Sequence, residues 1–355
     1  MVWLWLITGA LLFYALKGYP LWMAMRCGKY PRRDYGRSPM VNYSIVVVSR
    51  NGGEDLKRKM GEILSYRNST LKKVVVIDDG SEDGSMAFLS SLKDPRLEVI
   101  SQPRGGKSKA LNKARSKVKT EAVVLMDVRQ SVGEDTVLAL KDRLHDDFLG
   151  GISARLRIPG TDTAYWEQEW RLRDAEGRQG FCMGLTGACC ALKTRYWEAL
   201  PDNCLCDDMA LGLMILSKGA LVDIDSDLIV DDPRSIEWKA ELIRKIRTLS
   251  GNWQILFGGK RYPRPKGGTA RLALWSHKWL RLFLPVLTLL FLILTLVVWG
   301  WIFPLIFLGA GVFIGFKLGW RPKTHLVQPF LYLNLAALIA MFAWPMHSKK
   351  GYWGN

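Results

Sequence analysis

Paired acids at the ends of apolar runs, a Gly-Gly-Lys turn and two arginines about one helical turn apart are the residues of this chain whose types and spacing can do chemistry. Asp78 and Asp79 precede Gly80 and Ser81, a tight turn whose carboxylates can accept hydrogen bonds from a base or ribose, or simply close a surface Asx turn. Gly105, Gly106 and Lys107 offer backbone N–H groups and one ammonium just before Ala110, Leu111 and Asn112, and a helix N-terminus with a nearby lysine suits a diphosphate. Asp127 ends another apolar run, where a carboxylate can hold a hard divalent ion such as Mg²⁺ or Mn²⁺. Asp207 and Asp208 lead a helical stretch. A carboxylate there can take a proton from an attacking hydroxyl, and negative charge also favours a helix start through the dipole.

These side chains need elements to position them. Ser44 to Ser49, Lys72 to Ser81 and Glu121 to Asp127 are short runs rich in valine and isoleucine, separated by helix-compatible stretches. That alternation predicts parallel strands joined by crossover helices. Open sheets of this kind bind ligands beyond the carboxyl ends of their strands, which is where Asp78, Asp79 and Asp127 fall. Glu237 to Phe257 is amphipathic at helical spacing and basic, which predicts a helix at a membrane interface, and the basic and aromatic Arg271 to Phe283 predicts another interface helix leading into the membrane.

The 355 residues carry 50 Lys and Arg against 33 Asp and Glu, a net charge of +17, yet 49% are hydrophobic and 15 are Trp. A basic disordered tail lacks that apolar content. Val2 to Met25 holds a single charge, Lys17, and Leu282 to Phe316 none, with Leu326 to Met346 a further apolar stretch. About 20 apolar residues span a bilayer, so one span is expected before the central region and three after it. Arg26 to Arg37, Lys260 to Arg271 and Lys317 to Lys323 flank these spans, and the positive-inside rule puts them, with the central domain, in the cytoplasm. Charge that follows a membrane boundary argues against a nucleic-acid partner. Cys189, Cys190, Cys204 and Cys206 lack the paired spacing of a zinc site and are expected to be reduced and packed.

Several segments in order resemble family-2 glycosyltransferases, the enzymes of GT-A fold that include cellulose, chitin and hyaluronan synthases. They are VVVIDDGSEDGS, PRGGKSKALNKA, VLMDVRQ, LTGACCALKTRYW, CDDMALGLMILSKG and RKIRTLSGNWQ, covering roughly Tyr43 to Phe257. The resemblance implies that Ser49, Asn51, Asp78, Asp79, Lys107, Asn112, Asp127, Arg129, Arg244 and Arg247 bind a nucleotide sugar, most simply a UDP-sugar. It implies a divalent metal on Asp127, although Arg129 stands where the family commonly has a second acid, and Arg129 then meets phosphate directly. It maps the general base onto Asp208, beside Asp207, and gives Arg247 a diphosphate-clamping role. Gly187 and Ala188 let backbone approach the acceptor sugar closely. Thr248 replaces the family's acceptor-stacking Trp, with Trp253 as a substitute, and this departure leaves processive synthesis open.

The resulting expectation is an α/β GT-A domain, Rossmann-like in its nucleotide-sugar half, over 43–235. It follows a first span (1–25) and a basic linker (26–42), and precedes interfacial helices (236–281), three spans (282–346) and a polar tail (347–355). The expected activity is inverting sugar transfer with Mg²⁺ or Mn²⁺ to a growing polysaccharide or oligosaccharide at the inner membrane. The alternatives are a single transfer to a polyprenyl phosphate or glycolipid, and a non-catalytic adaptor. Four spans are few for an export channel, so a polymer would require a second copy or an export partner.

Overall fold

The computed structural model describes residues 1–36, 38, 40–158, 164–233, 238–301 and 324–350. Seven strands form one sheet: β1 (Tyr43–Ser49), β2 (Leu71–Asp79), β3 (Leu97–Gln102), β4 (Ala122–Met126), β5 (Leu149–Arg157), β6 (Cys189–Lys193) and β7 (Leu221–Asp231). Their order is β3-β2-β1-β4-β6-β5-β7. The first four are mutually parallel, whereas β6 runs antiparallel to both β4 and β5. All seven residues of β1 are buried. Because side chains alternate across a strand, Val46, Val48, Val75 and Ile77 enter one core, and Ile45, Val47, Val74 and Val76 enter the core on the opposite face.

The helices are α1 (Val2–Cys27), α2 (Gly53–Leu64), α3 (Ser85–Ser91), α4 (Lys107–Arg115), α5 (Glu134–Asp142), α6 (Ala164–Arg178), α7 (Asp207–Ser217), α8 (Trp238–Phe257), α9 (Gly268–Trp299) and α10 (Thr324–Lys350). The chain leaves β1 for β2 on one side and reaches β4 on the other. The strand order therefore reverses between β1 and β4, the position at which such sheets open a ligand crevice. Register puts Ser49 beside Asp78, Asp78 beside Ser101, and Asp79 beside Gln102. The acids expected at the carboxyl edge thus share that edge with Asp127, which follows β4.

α1 and α9 are long and apolar enough to cross a membrane. They run antiparallel: Trp5 stacks on Phe291 and its Nε1 donates to Thr295 Oγ1 at 2.9 Å, while Tyr14 and Ser276 share a hydroxyl hydrogen bond at 2.8 Å. Met1 and Trp299 thus lie at one end of the pair, and Cys27 and Gly268 at the end joined to the sheet domain. Large apolar side chains are exposed on the far half, among them Trp3, Ile7, Leu289 and Val297.

The segments that flank the sheet domain pack against it. Arg271 to Phe283 forms the first half of α9 and runs straight into its apolar second half, with Ala273, Leu274, Trp279 and Leu282 packed into the domain core. The basic linker is partly a latch. Arg32 reaches Asp174 at 2.7 Å and Asp225 at 2.9 Å, and Tyr35 donates to Asp223 at 3.0 Å. Of the C-terminal spans, the one expected after Gly300 lies outside the described residues. The last apolar stretch belongs to α10, whose Trp344 stacks on Phe257 of α8 and whose His347 meets Ser250 at 3.1 Å. The cysteines described are all free, and those of the domain are buried; burial pushes the Cys189 and Cys204 thiols up to about 12.

Candidate active site

A cavity of about 300 Å³ opens at the carboxyl edge of β4, between the loop before β6, the start of α7 and the first half of α8. Lys107, Asp127, Arg129, Gly187, Ala188, Asp207, Asp208, Arg244 and Arg247 all line it. These residues come from five separate segments, brought together by the sheet edge on one side and α8 on the other.

Lys107 links two of its acids. Its Nζ lies 2.9 Å from Asp127 Oδ1 and 3.1 Å from Asp207 Oδ2, so one ammonium bridges the acid of the strand end and the acid of the helix start. Burial alone would lower its pKa, but Asp127 and then Asp207 outweigh that and raise it, holding the lysine charged. The other oxygen, Asp127 Oδ2, faces Gly187: a Cβ added there would lie 3.2 Å from it. Glycine at 187 therefore keeps that carboxylate face uncrowded.

Asp208 opens α7 beside Asp207, and its Oδ1 accepts from the Met209 N–H at 2.7 Å. Desolvation raises its pKa above the usual carboxylate value and the Asp207 charge adds to this, with Lys107 and the Met209 N–H pulling the other way. The carboxyl is a stronger base than an exposed Asp.

Arg129 comes within 3.9 Å of Asp232, a buried acid that Gln130 also contacts at 2.8 Å. Arg244 pairs with Glu241 at 2.8 Å one turn earlier on α8. Arg173 of α6 donates to the Gly184 carbonyl at 2.9 Å and lies over Trp170, bracing the loop that carries Thr186 and Gly187. The lining cations Lys107, Arg129, Arg173, Arg244, Lys245 and Arg247 face Asp127, Asp207, Asp208, Asp232 and Glu241. This near balance means that the chain's large positive excess resides elsewhere, at the flanks of the apolar helices.

Other expected residues do not line the cavity. Asp79 is fully buried, with Oδ1 accepting from Gln102 Nε2 and the Gly105 N–H and Oδ2 from the Gly106 N–H, at 2.7, 2.8 and 2.8 Å. Its carboxylate shapes the Gly-Gly turn that delivers Lys107, with Gly106 at φ +91° as the last residue before α4. Asp78 accepts from the Ser81 N–H at 3.2 Å, and its other oxygen, like the Ser49 hydroxyl, is buried with no hydrogen-bond partner among the described residues. Asn51 adopts φ +51° and joins the β1 and β2 loops through the Glu82 N–H and Ser81 Oγ. Both ends of the Asn112 amide bond the backbone of Leu200. Trp253 is 2% exposed, stacked on Phe257 and edge-on to Phe283, away from the cavity.

The indoles that do line it are Trp166 and Trp170, four apart on α6, and sequence reasoning missed them. Their i, i+4 spacing was the available signal. Asp232 and Glu241 were missed as well; neither belongs to a segment that carried the resemblance.

Residues 44–196 match the model of glycosyl transferase family 2. No curated protein matches the chain significantly in sequence. Among solved structures, the mannosyltransferase PcManGT from Pyrobaculum calidifontis, in complex with GDP-Man and Mn²⁺, is similar over 96% of this chain and 98% of its own, with 20% identity and a TM-score of 0.75. Glucosyl-3-phosphoglycerate synthase from Mycobacterium tuberculosis, in complex with phosphoglyceric acid, is similar over 64% of this chain and 82% of its own at 16% identity, with a TM-score of 0.47.

Proposed function

We propose that this glycosyltransferase, built on a family-2 domain over residues 44–196, moves a sugar with inversion from a nucleoside-diphosphate sugar to a hydroxyl of a saccharide acceptor at a membrane. The observation that carries this reading is the convergence of Asp127, Lys107, Asp207 and Asp208 in one cavity at the strand-order reversal. The acceptor oxygen attacks the anomeric carbon as the bond from that carbon to the diphosphate oxygen breaks. Asp208 accepts the acceptor's proton, and the nucleoside diphosphate departs with the electron pair of the broken bond. Lys107, Arg247 and Arg244 offset its charge, and Trp166 and Trp170 supply apolar faces for sugar rings.

The cavity suits a divalent ion brought with the donor. No group of three His, Cys, Asp or Glu side chains converges to hold a metal among the described residues. One carboxylate oxygen, Asp127 Oδ2, faces the uncrowded glycine side, and Mg²⁺-like ions are commonly held by one or two carboxylates with substrate phosphates and water completing the shell. Such an ion neutralises leaving-group charge. The GDP-Man and Mn²⁺ bound by PcManGT favour the same chemistry and widen the donor beyond UDP-sugars. In this reading α1 and α9 span the bilayer, residues 26–42 and 43–235 lie in the cytoplasm with α8 at the interface, and α10 supplies a further membrane segment.

Purified protein incubated with labelled UDP- and GDP-sugars and Mn²⁺ tests this. Transfer is expected from one of them, abolished in Asp208→Asn with donor affinity nearly unchanged; normal turnover by that variant removes Asp208 from the base role. Asp127→Ala is expected to lose the Mn²⁺ dependence of donor binding, and an unaltered metal response overturns the metal assignment.

A further inference from the structure

A second cavity, of about 510 Å³, lies beside the first between α1, α6, α8, α9 and α10. Lys245 and Thr248 line both, so the two adjoin across α8. One part of its wall is apolar, with Leu16, Leu249, Leu284 and Leu333; the other presents Lys17, Lys245, Lys278 and Arg281. Glu169 is the one carboxylate among its described lining residues. It accepts from Arg281 at 2.7 Å and His277 at 2.7 Å, and lies 3.8 Å from Lys278. Lys245 in addition lies 4.0 Å from Glu241 and over the Trp166 ring, so the four cations meet two carboxylates and positive charge remains in excess.

Two of those cations come from backbone irregularities. Lys17 lies in the π-helical stretch Tyr14–Gly18 of α1, and Lys278 in the π-helical stretch Leu274–Trp279 of α9. The stretches face each other through the Tyr14–Ser276 hydroxyl bond. π-Bulges are rare and concentrate at functional sites, and ionisable side chains on helices long enough to span a bilayer are costly unless they serve one. Here two such helices each deviate where they deliver a lysine to the same cavity.

We propose that this cavity binds the phosphate group of a membrane lipid that carries the acceptor saccharide. Lys17, Lys278, Arg281 and Lys245 surround the phosphate, the leucines meet the start of the hydrocarbon chain, and the saccharide extends past Thr248 toward Asp208. The inference rests on the transferase reading for the direction of the saccharide, but the phosphate site itself does not. It gives the acceptor a chemical class, a lipid phosphate, and keeps the growing product on its lipid.

The test is a titration of the detergent-solubilised full chain with farnesyl phosphate, farnesol and inorganic phosphate, with no donor present. Farnesyl phosphate is expected to bind at least about tenfold more tightly than either control, with Lys17→Glu and Lys278→Gln each weakening it about tenfold or more. Binding of UDP or GDP with Mn²⁺ is expected to be unchanged in both variants, which reports that they are folded. Equal binding of farnesol, equal binding of inorganic phosphate, or undiminished binding by both variants overturns the site. A chain that binds farnesyl phosphate here yet transfers no sugar in the separate incubation with labelled UDP- and GDP-sugars and Mn²⁺ overturns the transferase chemistry instead and leaves the cavity assignment standing.

Discussion

Asp208, the proposed base, joins two demands that pull against each other. A catalytic base benefits from a raised pKa, and here desolvation and the neighbouring Asp207 provide it. The same shift works against folding. A native pKa above the unfolded value of about 3.9 means that the associated stability is complete below the unfolded pKa and is lost as pH rises through the native one. Asp208→Asn is therefore expected to melt at a higher temperature than the parent near neutral pH, with the gap closing on acidification toward the unfolded carboxylate pKa. Thermal unfolding across pH reads this directly, and a variant that melts lower at neutral pH contradicts it. In the parent enzyme, the acid limb of kcat/KM is expected above the ordinary carboxylate range, because the base must be ionised to act. Asp207→Asn removes the second contribution to the shift and moves that limb to lower pH.

The elements explain why some of this site was legible in the sequence and some was not. β1, β2 and β4 were readable because strands buried on both faces reduce to β-branched runs, and their terminal acids then fall at a predictable edge. β3, only half-buried, and β5, which opens with Leu149-Gly150-Gly151, carry no such run. Antiparallel β6 is five residues within a small-residue segment. Lys107 and Asp127 were placed by local motif, but their joint contact with Asp207 depends on a fold that brings residues far apart in sequence together. α8 gave the clearest divergence. Its amphipathic pattern was evident, yet Trp253 faces Phe257 and Phe283, and the cavity takes its indoles from α6. Trp253→Ala is thus expected to cost about 3–5 kcal/mol of stability, as core Trp truncations do, with the acceptor KM of the folded fraction unchanged. Trp166→Ala and Trp170→Ala are expected to raise acceptor KM several-fold with smaller losses of stability. Unfolding curves paired with acceptor titrations separate the two, and a raised acceptor KM in Trp253→Ala restores it to the binding surface.

At the scale of the whole molecule, the positive charge and the apolar ends constrain each other. α1 and α9 are antiparallel, so if both cross a bilayer the ends joined to the sheet domain, Cys27 and Gly268, emerge on one side and Met1 and Trp299 on the other. Arg26, Lys29, Arg32 and Arg33 flank the first of those ends, and Lys260 to Arg271 surround the second. The geometric side and the side chosen by the positive-inside rule are the same. α1 has little freedom to reverse independently, since Tyr19 donates to the buried Glu176 at 2.8 Å, Arg26 donates to Gln179 at 2.9 Å and Arg32 closes on Asp174 and Asp225. An epitope tag placed before Met1 is therefore expected to be removed by protease added outside intact spheroplasts, while the sheet domain is degraded only after lysis. A protected tag combined with an accessible domain inverts the topology. It would also separate the active site from cytoplasmic nucleotide sugars, so this one measurement bears on the membrane arrangement and on the donor together.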